Sequence, residues 1–95
     1  MTLTFEAVLW YWRGLSPYHF LTVPEEQCGE LEAIASAVSY GWGMIPVTAT
    51  IRGTRWTTSL FPKDGGYVVP VKDAIRRAEL LTLDQAVEIT LHVAL

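Results

Sequence analysis

The chain has 95 residues, of which 51% are apolar and 18% charged, with a formal net charge of −3. That size suits one domain spanning residues 1–95, and so apolar a composition excludes a disordered chain. The uncharged run from Val38 to Ile51 is broken by Gly41, Gly43 and Pro46, which excludes a membrane-spanning helix there.

Phe5 to Trp12 reads as a strand of aromatic and branched residues, with Phe5, Ala7, Leu9 and Tyr11 on one face. Glu6, Val8, Trp10 and Trp12 fall on the other, and since only Glu6 is charged the pattern predicts a strand covered on both faces. Arg13-Gly14-Leu15-Ser16-Pro17 is a turn, and Tyr18 to Val23 is the antiparallel partner of the first strand. Pro24 then opens a helix at the first helical position, and Glu25 and Glu26 place negative charge at its positive end. Cys28, Leu31, Ala35 and Val38, with Ile34 beside them, make its apolar stripe; Gly41 and Gly43 end it.

Met44 to Arg52 and Arg55 to Phe61 form a hairpin about a two-residue connection, Gly53-Thr54. Counting outward sets Ile51 opposite Trp56, Ala49 opposite Thr58 and Val47 opposite Leu60. Val47, Ala49, Ile51, Trp56 and Leu60 then face the core, and Thr48, Thr50, Thr57 and Ser59 face away. Tyr67 to Val71 is a fifth strand, and Pro70 predicts a sheet edge there. Such an edge could pair with a second copy, so the sequence allows a monomer or a homodimer. Asp73 to Leu80 is helical, with Ala74, Ile75 and Ala78 inward and Arg76 and Arg77 toward solvent. Ala86 to Leu95 is the last strand; Val87, Ile89, Leu91, Val93 and Leu95 point one way, Glu88, Thr90 and His92 the other. Six strands in so short a chain predict a mainly β fold, a six-stranded small pseudo-barrel capped by two short α-helices.

Charge is segregated along the chain. Five glutamates in residues 1–39 face only Arg13, whereas six of the seven Lys and Arg residues lie between positions 40 and 77. If the second helix packs beside the central hairpin, Lys72 and Arg76 converge on the hydroxyls of Thr57 and Ser59 and form an anion site. Arg52 and Arg55 extend it. Its partner would be a small anionic ligand or another protein. The hairpin tip suggests a nucleic-acid alternative, with Arg52 and Arg55 on phosphate and Trp56 against a base. A pI near 5.2 and the lack of a basic stripe disfavour it.

Of the four tryptophans, Trp10, Trp12, Trp42 and Trp56, the simplest reading is core filling, the alternative an apolar pocket at the barrel mouth. Cys28 lies on the helix stripe and reads as a buried thiol; the single cysteine also fits a reducing, cytoplasmic setting. The opening Met1-Thr2-Leu3-Thr4 lacks the features of a secretory leader. His19, His92 and Cys28 do not stand at metal-ligand spacing, and no cofactor is expected. No nucleophile with a legible base is present, so a binding module is preferred to an enzyme with an unrecognised site.

Several landmarks stand in a familiar order: Phe5-Glu6-Ala7, then Phe20-Leu21-Thr22-Val23-Pro24, Gly53 and Trp56-Thr57-Thr58-Ser59-Leu60-Phe61-Pro62. Gly65-Gly66-Tyr67 follows, then Pro70-Val71-Lys72 with Ile75-Arg76-Arg77. Over nearly its whole length the chain resembles domain-of-unknown-function family nineteen-oh-five, a bacterial and archaeal group. The resemblance implies a six-stranded pseudo-barrel capped by helices, similar to the double-split barrels of transition-state regulators and antitoxins. It implies no biochemical activity. One departure stands out: where the family places Gly-Leu and then Gly-Asp before the last strand, this chain has Leu80-Leu81 and Asp84-Gln85. Aspartate suits a left-handed turn, but Leu80 replaces glycine poorly, so that helix end is expected to be built differently.

Overall fold

The structure, a computed structural model, describes residues 1–95. Six strands and two helices follow in the order β1 (Thr2–Trp12), β2 (Tyr18–Thr22), α1 (Glu25–Val38), β3 (Ile45–Ile51), β4 (Thr54–Lys63), β5 (Gly66–Val71), α2 (Asp73–Ala78) and β6 (Ala86–His92). The strands close into an antiparallel barrel in the order β1-β2-β5-β4-β3-β6. Two long strands each serve two neighbours. Residues 2–8 of β1 pair with β6 and residues 9–12 with β2. Residues 54–60 of β4 likewise pair with β3, and residues 61–63 with β5.

Alternation of side chains turns one row of each strand inward, and these rows meet in one core. Leu9, Leu21, Ile45, Ile51, Leu60, Val69, Ile89 and Leu91 are fully buried in it. Helix α1 adds Cys28 and Leu31, with Ile34, Ala35 and Val38 packed at the margin, and α2 adds Ile75. The Cys28 thiol is buried and donates to the Val23 carbonyl at 3.4 Å. Pro24 caps α1 in an extended conformation just before the first helical residue, so it is a cap rather than that residue. No helix is long and apolar enough to cross a membrane.

Several expectations are corrected. The hairpin turn is Arg52-Gly53, not Gly53-Thr54: Arg52 takes the left-handed conformation (φ 52°), and Ile51 pairs with Thr54, Ala49 with Trp56 and Ile45 with Leu60. The register is displaced by two residues, which keeps every side chain on its expected face because the strand period is two. Trp56 and Leu60 therefore still point inward. Strand β5 is not an edge, since the barrel is closed and β5 lies between β2 and β4. Pro70 is accommodated because its stretch pairs only with β2, the β4 ladder having ended at Phe61–Val68.

Only one face of β1 is buried; Val8 and Trp12 on the other are exposed. Ala74, Ala78 and Leu95 also prove exposed: α2 is a single short turn-and-a-half that buries only Ile75, and the chain leaves β6 after His92. The end of α2 is not built differently from a glycine-capped one. Leu80 occupies the left-handed position (φ 53°), with its N–H on the Arg77 carbonyl and the Leu81 N–H on that of Arg76. The buried Leu81 anchors this cap, and Asp84 (φ 65°) makes the next turn.

Two outer faces result. Around β6, β3 and the first half of β4, cross-strand rows place Thr2, His92, Thr48 and Thr57 side by side, then Thr4, Thr90, Thr50 and Arg55. Around β2, β5 and the second half of β1, the rows are aromatic and apolar: Trp12 with Tyr18, and Trp10 with Phe20 and Pro70. Of the four tryptophans only Trp56 is in the core; Trp42 stands 93% exposed in the turn after α1.

Candidate functional site

The widest depression, about 630 Å³, opens where β1 ends and β2 begins, beside α2. Tyr11 and His19 are direct cross-strand partners whose rings meet at 4.7 Å, tilted by 53°. Arg13, one residue past β1, holds its guanidinium 5.5 Å over the Tyr11 ring. Tyr18 opens β2, and Asp73 and Arg76 project from consecutive turns of α2 into the same cleft. Sequence builds this corner through the Arg13–Pro17 turn, which reverses the chain and sets Trp12 against Tyr18 and Tyr11 against His19.

One carboxylate stands among three nitrogen bases. Asp73 Oδ1 lies 3.5 Å from Arg76 Nη2 and 4.0 Å from His19 Nδ1. Its side chain is 64% exposed, whereas those of Arg76 and His19 are 28% and 15% exposed, so most of the carboxylate's charge is spent on water. The Arg76 Nε is buried and has no hydrogen-bond partner. A buried guanidinium N–H in that state is an unsatisfied donor that water does not reach. Two guanidinium groups against one solvated carboxylate leave the cleft positive.

Burial lowers the pKa of His19 below the usual imidazole range; the Arg76 charge adds to this and Asp73 opposes it. Tyr18 moves the other way, its phenol pushed up by burial and then by Asp73. At neutral pH His19 is therefore a neutral hydrogen-bonding group and Tyr18 a protonated one. Such a set can hold an anion through charge-assisted hydrogen bonds from arginine, with His19 and Tyr18 to orient it. It contains no activated nucleophile.

The six residues read from sequence do not gather at one place. Arg76 lines this cleft; Lys72, which caps α2, is exposed beside it. Thr57 lines a separate shallow groove with Thr48, Thr58 and His92, and Ser59 hydrogen-bonds the Tyr40 hydroxyl at 2.7 Å. Arg55 lines another depression with Thr48, Thr50, Thr90 and His92. Arg52 is committed to α2: it donates to the Glu79 carbonyl at 2.8 Å and carboxylate at 3.3 Å, while Thr54 donates to the other carboxylate oxygen. With Trp56 buried in the barrel, the hairpin tip has no ring for stacking on a base.

Tyr11, Arg13, Tyr18, His19 and Asp73 were missed as site residues. One signal was available: counting outward from the Arg13–Pro17 turn pairs Tyr11 with His19. Nothing in the sequence brings α2 to them.

A family model for a domain of unknown function (DUF1905) matches residues 5–91. Comparison with curated proteins returns no match. With the match running through all six strands and both helices, the chain belongs to the DUF1905 family.

Proposed function

We propose that this domain is a binding module whose working site is the Arg13–His19–Arg76 cleft, and that its ligand carries a carboxylate or phosphate group. The observation that carries the reading is that Arg76 and Arg13 line the widest depression against a single carboxylate, that of Asp73, which is 64% exposed to water. A guanidinium lining an open cleft beside a second one is suited to an oxyanion, which it holds by charge-assisted hydrogen bonds. Lys72, one turn before Arg76, adds to the positive field without touching the ligand. The passage of β1 and β4 between two sheets supports grouping the fold with double-split barrels, and the single buried thiol fits a cytoplasmic protein.

A second reading rests on Arg55, which lines a depression of about 290 Å³ together with Thr48, Thr50, Thr90 and His92. That set is the nearest the fold comes to the hydroxyl-and-cation site read from sequence. Its cation is exposed, so water screens it more than Arg76.

Titration calorimetry at low ionic strength with inorganic phosphate and acetate separates the two. Arg76→Gln should weaken binding about tenfold, the loss of one charge-assisted hydrogen bond, and Arg55→Gln should leave it unchanged. Wild-type affinity at Arg76→Gln would overturn the first reading. Affinity should also rise as pH falls through the lowered pKa of His19, because the imidazolium adds a third positive charge.

A further inference from the structure

We infer that the ligand is an aromatic acid: its anion lies on Arg76 and Arg13, and its ring crosses Tyr18 into the adjoining groove against Trp12 and Phe61. This rests on the reading of the cleft as an anion site and adds the other half of the ligand. The groove, about 480 Å³, is walled by Trp12, Tyr18, Phe20, Phe61 and Pro70, and Tyr18 lines both depressions. The Tyr18 ring packs against that of Phe20, centroids 5.7 Å apart and planes tilted by 47°.

The groove opens where the barrel wall changes partners. Strand β4 has left β5 beyond Phe61–Val68, so Thr58 and Phe61 face Pro70 across a cleft rather than a ladder. Its walls carry apolar area that folding does not cover: Trp12, Tyr18 and Phe61 remain 39%, 37% and 40% exposed. Large rings held in place but half covered gain contact area with little further loss of side-chain freedom when a flat group joins them.

Charge selects an acid rather than a neutral ring. Cations flank the aromatic surface at both ends, Lys63 over Trp12 at 5.6 Å and Arg13 over Tyr11 at 5.5 Å, with Arg76 in the joined cleft. The size of the two depressions suits a small molecule. A nucleic-acid strand needs cations spaced along a longer track, and here Asp73 stands in the cleft while the chain as a whole is acidic.

The test compares phenyl phosphate, inorganic phosphate, benzyl alcohol and a fifteen-residue oligothymidylate on the intact domain, by calorimetry and tryptophan fluorescence. Phenyl phosphate should bind at least about tenfold more tightly than phosphate, and benzyl alcohol more weakly than either. Phe61→Ala should erase most of that preference. So should Gly14→Ala, whose added methyl would collide with the Trp12 indole and push it from the groove. Arg76→Gln should weaken phosphate and phenyl phosphate alike, and Thr4→Ala on the far face should change nothing. Equal binding of phosphate and phenyl phosphate would overturn the aromatic half and leave the anion site standing. Binding of neither would overturn both. Oligothymidylate binding more tightly than phenyl phosphate, with a steep salt dependence, would replace the small acid with single-stranded nucleic acid.

Discussion

The barrel has one inner face and two unlike outer ones. Around β6 and β3 the outer rows are threonines that hydrogen-bond one another, as Thr4 does Thr90 at 3.0 Å and Thr2 does His92 at 3.2 Å. Around β2 and β5 the outer rows bury Phe20, Val68 and Pro70 although none of these belongs to the core. Both kinds of row satisfy a pleated backbone, since branched and aromatic side chains suit strands equally. They differ in what they offer water. Hydroxyls are content in solvent, whereas ring surface in solvent is unspent hydrophobic free energy, roughly 25 cal/mol per Å². The functional proposals fall on the face where that free energy is left over, next to the cleft where a guanidinium N–H is unpartnered.

Neighbouring residues on β4 give the sharpest way to break this distinction. Leu60 is fully buried and Phe61 is 40% exposed. Leu60→Ala should cost about 2–5 kcal/mol by removing buried methyls and leaving a cavity. Phe61→Ala should cost less than about 1 kcal/mol, because much of the ring is already wet. Urea denaturation of the two variants measures both. Comparable losses would mean that the aromatic face is a second core rather than a surface waiting for a partner.

The next effect is smaller and comes with a gain. Leu80 is 81% exposed and held at a left-handed φ of 53°, so its side chain contributes little burial while its backbone is strained. Leu80→Gly should stabilise the domain by about 1 kcal/mol, read as a rise in the urea midpoint. On the aromatic face, Trp10 donates from Nε1 to Thr22 Oγ1 at 2.9 Å. Trp10→Phe should lose about 0.5–1.5 kcal/mol, and the loss should shrink when Thr22 is already valine. On the hydroxyl face, Thr4→Val should fall within about 0.5 kcal/mol of wild type, since water replaces its bond to Thr90.

How much of this was legible follows from what each signal reports. Alternation located all six strands and kept Trp56 and Leu60 inward even though the hairpin was counted from the wrong pair. Side-chain direction survives a shift of two residues; the identity of cross-strand partners does not. Arg52 was hidden because a left-handed arginine is uncommon, and Gly53 drew the turn one residue onward. Trp10 and Trp12 were expected in the core because large rings seek burial, but the interior of a six-stranded barrel was already filled by leucine, isoleucine and valine, with Phe5 and Trp56. The cleft was beyond reading for a different reason. Its walls come from residues 11–13, 18–19 and 73–76, and only the closure of the barrel joins them. Arg76 was singled out for its charge and set against Thr57 and Ser59, whereas it lies beside Asp73 and His19.

The smallest expected effect tests the cleft from the side of stability. His19 has its pKa lowered in the folded chain, chiefly by burial and then by Arg76, with Asp73 pulling the other way. The unfolded chain, with an ordinary imidazole near 6.5, therefore binds the proton more readily than the folded one. Stability should be unaffected by this group above that pH, fall as pH drops through the interval down to the folded value, and then level off. His19→Gln should remove that dip and leave the remaining acid dependence intact, as chemical denaturation at a series of pH values would show. Arg76→Gln removes one of the two causes that depress the imidazole, so it should make the dip shallower. Saturating phosphate should reduce it further if the anion sits beside the ring, because an imidazolium then gains a partner that only the folded chain provides. Phosphate that stabilises the protein equally at pH 5 and pH 8 would place the anion away from His19, and with it away from the aromatic groove that Tyr18 shares.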